Sequence, residues 1–340
     1  MFDIVNFLNY VAFISRLMII SRFKFISKMS SFSSVTASAA ALTVKPIVYY
    51  NPWHIFHSLG GRMHPENPKR IKGIIEALDT FIKADAIVMK TFSHEDFKPF
   101  EEDPEKPADM WCEDDGDNYR TRYTDSILKI SRNMLAAAVE DISKGARCTY
   151  VLTRPPGHHA SDGIESGFCF ENNVWTAVEA LLAGGKRRIS IYDWDVHHGD
   201  GTERCFRAAL ERDGSKYDDI RFVSSHAYGR GIYPGTGAAS ADKHIINLPF
   251  KKGTDSGKFL DAFKETTLPF VRDCEILIVS AGYDGHRLDP MGMMNLENAT
   301  YSSMSKRFKD LGVPVLFILE GGYNPEVLGE CVRETLMQWM

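Results

Sequence analysis

The stretch Arg188–Gly201, RISIYDWDVHHGDG, decides how the chain is read. Arg188–Tyr192 is short and apolar, with Ile189 and Ile191 β-branched, the pattern of a strand buried on both faces. Directly after it, five ionisable groups fall within eight residues: Asp193, Asp195, His197, His198 and Asp200. One such residue would read as a turn or a cap, but that reading does not account for five together. In extended backbone, alternate residues share a face. Asp195 and His197 can therefore reach one ion, with Asp193 one step further back.

The same pattern recurs on either side. Strands are predicted at Cys148–Thr153, Ile220–Ser224, Ile276–Ser280 and Val313–Leu319. Helices are predicted at Asp125–Ser143, Asn173–Ala183, Gly201–Arg212, Gly257–Val271 and Asn298–Leu311, and from Pro325 onward. Such βα alternation predicts an α/β fold with a parallel sheet and helices on both faces. The Cys148 strand runs into RPPGHHA (154–160), the Ile276 strand into SAGYDGHRLDP (280–290) and the Val313 strand into EGGY (320–323). Sites in open α/β sheets form beyond the carboxyl ends of strands, so four segments should meet in one crevice.

Asp284 is the best third ligand, because one histidine and two carboxylates leave a metal with an open position for water. His158 and His159 can each take a separate carboxylate, and Asp193 and Asp200 are spare. A histidine held in this way is suited to accept a proton from water. Structural histidines or extra metal ligands are the alternatives. Tyr323 follows paired glycines and could donate to a carbonyl oxygen as it gains charge, although a packing tyrosine would look the same.

The remaining composition is that of a globular protein: 340 residues, 44% apolar, 25% charged, net charge −5. No global basic field is available for direct nucleic-acid binding, and a basic partner would not be repelled. Cys112, Cys148, Cys169, Cys205, Cys274 and Cys331 form no CxxC pair and read as reduced, buried thiols. Residues 1–45 are basic, Ser-rich and hold one acid, Asp3, the composition of an organellar targeting peptide. A plastid or mitochondrion is expected, with cytoplasm or nucleus as alternatives. The apolar stretch Val5–Ile20 is broken by Arg16 and is short for a membrane span. Residues 46–340 read as one catalytic domain, with Glu101–Asp117 as an acidic surface loop.

In this order, RPPGHHA, GFCFENN (167–173), DWDVHHGDG (193–201), GIYPGTG (231–237), DGHRLDPMG (284–292) and EGGYN (320–324) resemble the histone deacetylase and acetylpolyamine amidohydrolase family. The resemblance runs from about Tyr49 to the C-terminus. It implies an arginase-like three-layer fold around a mainly parallel sheet of about eight strands. It also implies zinc on Asp195, His197 and Asp284, and His159 as general base oriented by Asp200. His158 would pair with Asp193, and Tyr323 would polarise the acyl carbonyl. Gly167, Phe168 and Tyr233 would wall a narrow acyl channel, with Met291 and Asp117 at its rim. A structural potassium ion would sit on Asp193, Ser224 and backbone oxygens of Asp195, His197 and Ser225. Arg70 matches an arginine near an internal product channel, and a surface salt bridge is an equal reading of it. The implied substrate is an acetylated protein or a small acetylated amine, and a catalytically silent binding module is the alternative to an enzyme. Met291 stands where a polyamine deacetylase needs an acid, and His286 where a two-metal ureohydrolase needs an aspartate.

Overall fold

The structure, a computed structural model, describes residues 45–59, 63–92, 111–112 and 117–340. The expected targeting segment except Lys45, and all of the acidic stretch 101–117 except 111–112 and 117, lie outside the described residues. The strands are β1 (Ile47–Tyr50), β2 (Val88–Thr91), β3 (Trp111–Cys112), β4 (Tyr119–Arg120), β5 (Cys148–Val151), β6 (Ile189–Asp193), β7 (Arg221–Ala227), β8 (Ser240–Ala241), β9 (Ile245–Phe250), β10 (Ile276–Ala281) and β11 (Val315–Leu319). Nine of them form one sheet in the order β2-β1-β5-β11-β10-β6-β7-β9-β8. All neighbours are parallel except β8, which runs antiparallel to β9 at the edge. The expected sheet of about eight parallel strands is therefore present, with one short antiparallel strand added.

The central strands β5, β11, β10 and β6 are buried at every position, which is why they carry almost no polar alternation. One face is aliphatic. Val151, Ile189, Ile191, Ile276, Ile278, Leu316 and Ile318 pack with residues of α2 (Thr124–Ser143), α3 (Asn173–Ala183) and α4 (Asp200–Tyr217). The alternate residues make an aromatic face: Tyr150 stacks on Phe317 at 5.5 Å, and Trp194 stacks on Phe308 at 6.0 Å. That side is covered by α7 (Asn298–Asp310) and α8 (Pro325–Met337), on which α1 (Lys69–Lys83) packs. Among the described residues, no helix is long and apolar enough to cross a membrane.

Several elements were not predicted. α1 buries Ile71, Ile74, Ile75 and Leu78, a helical spacing that the sequence does contain. In β9, Pro249 reads against a strand, and β9 lies next to the edge, where only the two-residue β8 covers it. The helix predicted over 257–271 is three pieces: α5 (Ser256–Ala262), a π turn (Phe263–Thr267) and α6 (Leu268–Val271). Pro269 has no N–H for the carbonyl of Glu265, and the wide turn falls just before it.

Candidate active site

β5, β11, β10 and β6 are adjacent, so the segments beyond their carboxyl ends meet over the middle of the sheet. β6 stops at Asp193, and 195–197 form a bend rather than the extended run expected. The two-residue spacing has a different cause. Asp193 Oδ1 accepts from Asp195 N at 3.0 Å, and Asp195 Oδ1 accepts from His197 N at 2.9 Å. Each aspartate thus caps the backbone two residues on, and two successive turns present the second aspartate and the histidine together.

Asp195, His197 and Asp284 bring one ligand atom each to within 4.8 Å of one another, and all three are buried. His197 Nδ1 lies 3.1 Å from Asp195 Oδ1 and 3.0 Å from Asp284 Oδ2. Even so, Asp284 Oδ2 makes no well-directed hydrogen bond. Burial alone would lower His197, but Asp284 and Asp195 push it up to about 10. Burial and the neighbouring Asp195 charge push Asp284 up to about 7. This buried set demands positive charge, which a divalent ion supplies, and one nitrogen with two carboxylates is a zinc donor set. Two glycines bring the backbone close to these carboxylates. A Cβ on Gly282 would overlap Asp195 Oδ2, and one on Gly321 would overlap both Asp284 and Asp195. Gly321 N also donates to Asp195 Oδ2 at 2.8 Å. Close approach to the carboxylates therefore requires the first glycine of EGGY, and Gly322 takes the positive φ of 116°.

The two histidines lie with ring centroids 4.0 Å apart and have different partners. His159 Nδ1 lies 2.6 Å from Asp200 Oδ1, and Arg204 holds the other oxygen of Asp200. Asp200 opens α4, where a carboxylate is favoured by the helix N-terminus. His158 Nδ1 lies 3.0 Å from Asp193 Oδ2, and its Nε2 lies 3.8 Å from Asp195 Oδ1. Burial opposes charge on both rings. For His158 the charges of Asp195 and Asp193 win and hold it well above the ordinary range. For His159 burial and the charge of His158 win, and it is pushed down to about 3. The pair is thus split into a cation and a neutral imidazole. With Nδ1–H on Asp200, Nε2 of His159 is left as an acceptor.

Gly167, Phe168, Tyr233 and Tyr323 stand around these groups. The Tyr233 ring is edge-on to His159 at 5.0 Å, and its hydroxyl lies 2.5 Å from Ser166 Oγ. A Cβ on Gly167 would press on the His159 ring at 2.6 Å. Phe168 adopts a φ of 68°, uncommon for an aromatic residue, and meets Tyr323 edge-on at 5.7 Å. Asn118 holds this turn from both sides: its Oδ1 accepts from Phe168 N at 2.7 Å and its Nδ2 donates to Cys169 O at 2.8 Å. Burial pushes the Tyr323 phenol well above its ordinary range, so it stays a donor. Asn324 and Pro325 start α8 immediately after it. Met291 is half-buried, and exposed Asp117 offers its backbone oxygen 3.2 Å from His64, whose ring meets Phe168. Asp193, the last residue of β6, is the register partner of Ser224 in the middle of β7, while Ser225 turns its hydroxyl towards Tyr192.

Three supporting residues were not foreseen. Glu320 is fully buried and accepts from Gly157 N at 2.6 Å and His158 N at 3.1 Å, tying the histidine loop to β11. Asp289 accepts from Tyr323 N at 2.6 Å, Asn324 N at 3.1 Å and Met291 N at 2.9 Å. Both lie inside motifs singled out for other residues. Glu66 belongs to a buried ion network: its Oε1 lies 3.2 Å from Arg70 and 2.6 Å from Arg154. Arg70 is fully buried, donates to Gly322 O at 2.6 Å and lies 4.9 Å from the Tyr323 ring. This removes the surface salt-bridge reading of Arg70.

The histone deacetylase domain matches residues 64–339. The chain belongs to the histone deacetylase family. It is 35% identical over 248 residues to histone deacetylase 14, chloroplastic, of Arabidopsis thaliana, covering 66% of this chain and 56% of that protein. It is 34% identical over 219 residues to acetylpolyamine amidohydrolase 1 of Pseudomonas aeruginosa, covering 62% and 60%. The HDA15 HD domain superposes with a TM-score of 0.75 at 28% identity, covering 87% of this chain and 89% of that domain. The family's fold is thus present, while the chain spans about 60% or less of the length of both curated relatives.

Proposed function

We propose that the chain is a zinc-dependent amidohydrolase that cleaves the acyl amide of an acylated lysine and releases the carboxylate. The observation that carries this reading is the convergence of Asp195, His197 and Asp284 beside two histidines, each with its own carboxylate. Bound zinc would supply Lewis acidity to the acyl oxygen and lower the pKa of a water to about 7. His159, neutral and oriented by Asp200, takes the water's proton at Nε2. Cationic His158 keeps positive charge beside the developing oxyanion, and protonated His159 returns a proton to the leaving amine. Tyr323 donates to the acyl oxygen. Gly167, Phe168 and Tyr233 wall the path of the acyl side chain. A structural potassium ion is proposed on Asp193, Ser224 and backbone oxygens of Asp195, His197 and Ser225. We also propose 46–340 as the catalytic domain and 1–45 as an organellar targeting extension, a reading supported by composition and by a relative named chloroplastic.

The test is metal content and acetate release from an acetyl-lysine peptide, for the wild type and for Tyr323→Phe. About one zinc per chain is expected, with the wild type active and Tyr323→Phe slower by about 10²–10³-fold in kcat. A zinc-loaded wild type that hydrolyses neither acetyl-lysine peptides nor acetylpolyamines would sink the proposal. Acetylpolyamine is the second substrate class, because one relative carries that name. Met291 at the rim, where that chemistry calls for an acid, counts against it.

A further inference from the structure

The loop that leads into Tyr233 has a second role open to it. Tyr228, Arg230, Ile232, Lys251, Lys252 and Met293 line a cleft of about 330 Å³. Arg230, Lys251 and Lys252 are exposed, no carboxylate lines the cleft, and none of the three has an ion-pair partner among the described residues. The cleft is held in shape by its backbone. Tyr228 N donates to Phe250 O at 2.9 Å, Gly253 N to Met293 O at 2.8 Å and Asn295 N to Thr254 O at 2.8 Å. It lies beside the channel: Ile232 adjoins Tyr233, and Arg230 is three residues away, at most about 10 Å along the chain. Met293 is two residues beyond Met291.

We propose that this cleft selects acyl-lysine substrates in which the residues flanking the lysine are acidic. The inference rests on the hydrolase reading above and narrows its substrate class. Three un-neutralised cations in one concave patch attract carboxylates and raise encounter rates, and they repel polyamines and lysine-rich tails. Tyr228, Ile232 and Met293 give the patch apolar surface for the stems of neighbouring side chains. The chain's net charge of −5 leaves a basic histone tail unopposed, but this local field opposes it.

The test uses the full chain and three peptides that share a central acetyl-lysine and differ in flanks: acidic, neutral or basic. The readout is the ratio of kcat/KM for the acidic peptide to that for the basic one, which does not depend on the active fraction. A ratio of about tenfold or more is expected at low salt. It should fall towards one at about 500 mM salt, where screening is nearly complete. The triple change Arg230→Glu, Lys251→Glu, Lys252→Glu should invert the ratio, and Lys251→Arg with Lys252→Arg should keep it. Fluorescence anisotropy with the same labelled peptides reads binding without turnover. Hydrolysis with a ratio near one, or a ratio that survives the reversal, overturns the inference and leaves the hydrolase reading standing. Charge-selective binding without hydrolysis of any peptide overturns the hydrolase reading and keeps the cleft. Neither selective binding nor hydrolysis overturns both.

Discussion

The floor and the rim of the site are built by opposite means. The floor, from Asp193 to His197, at Asp284 and from Glu320 to Gly322, lies at the ends of three adjacent buried strands, β6, β10 and β11. The floor is braced from within the protein: Asp195 alone takes N–H groups from His197 and Gly321, although Trp194 Nε1, Asp284 Oδ2 and Glu320 Oε1 are buried without a hydrogen bond. The rim, formed by 228–237, 251–253 and 288–293, is loop, partly exposed, and leaves Arg230, Lys251 and Lys252 facing water. A floor whose parts are over-determined can change little without losing its chemistry. A rim of loops can change its charge and so its substrate, without disturbing the residues that react.

The largest effect should come from the floor. Asp284→Ala removes one of the three proposed ligands, so bound zinc should fall well below one per chain and acetate release should fall to background; metal analysis and the peptide assay read both. Retention of full zinc by this variant would mean that the ion sits elsewhere. The buried ions beneath come next. Burial alone would raise Glu66, but Arg154 and Arg70 outweigh it and hold the carboxyl at about 2 against an ordinary 4.5. A carboxylate depressed on folding stabilises the protein above pH 4.5, and that stability is lost as the pH falls towards 2. Denaturant melts should show this acid slope in the wild type and lose it in Glu66→Gln. At pH 7 that variant should be weaker by about 3–5 kcal/mol, because two guanidiniums are left buried without their carboxylate.

The floor was also the part legible in the sequence, and for a physical reason. Ligand sets must come from a few residue types, and strands buried on both faces announce themselves as apolar runs. Asp195, His197 and Asp284 could therefore be named together, although the cause of their spacing is the pair of aspartate-capped turns and not strand alternation. What could not be read were partners chosen by distance across the chain. Glu320 on the histidine loop, Asn118 on the Phe168 turn and Glu66 between two arginines bond largely to backbone or to residues far away in sequence. β9 was hidden by Pro249, and the basic cleft assembles from three separate loops, none with a charge run of its own.

Glu320 tests how tightly the floor is determined. Burial pushes its carboxyl up to about 7, against the pull of His158. Glu320→Ala should lower kcat by about 10–100-fold with a smaller change in KM, as removal of an orienting partner does. Glu320→Gln keeps an oxygen for Gly157 N and His158 N and should recover most of that loss. Equal damage from both variants would place the role in the carboxylate's charge instead of its two hydrogen bonds.

The smallest effect separates rim from floor most cleanly. Met291 is half-buried, and its backbone N–H is taken by Asp289, whose other oxygen holds Tyr323 and Asn324. The side chain can therefore be changed while the backbone beneath it stays pinned to the tyrosine loop. Met291→Glu adds one carboxylate at the mouth, worth about 1 kcal/mol or less towards a cation in water. Acetylpolyamine hydrolysis should rise a few-fold in kcat/KM, mostly through KM, while kcat on a neutral acetyl-lysine peptide stays within about twofold. If kcat on the neutral peptide collapses as well, Asp289 has passed the change down to Tyr323, and rim and floor are one mechanical unit.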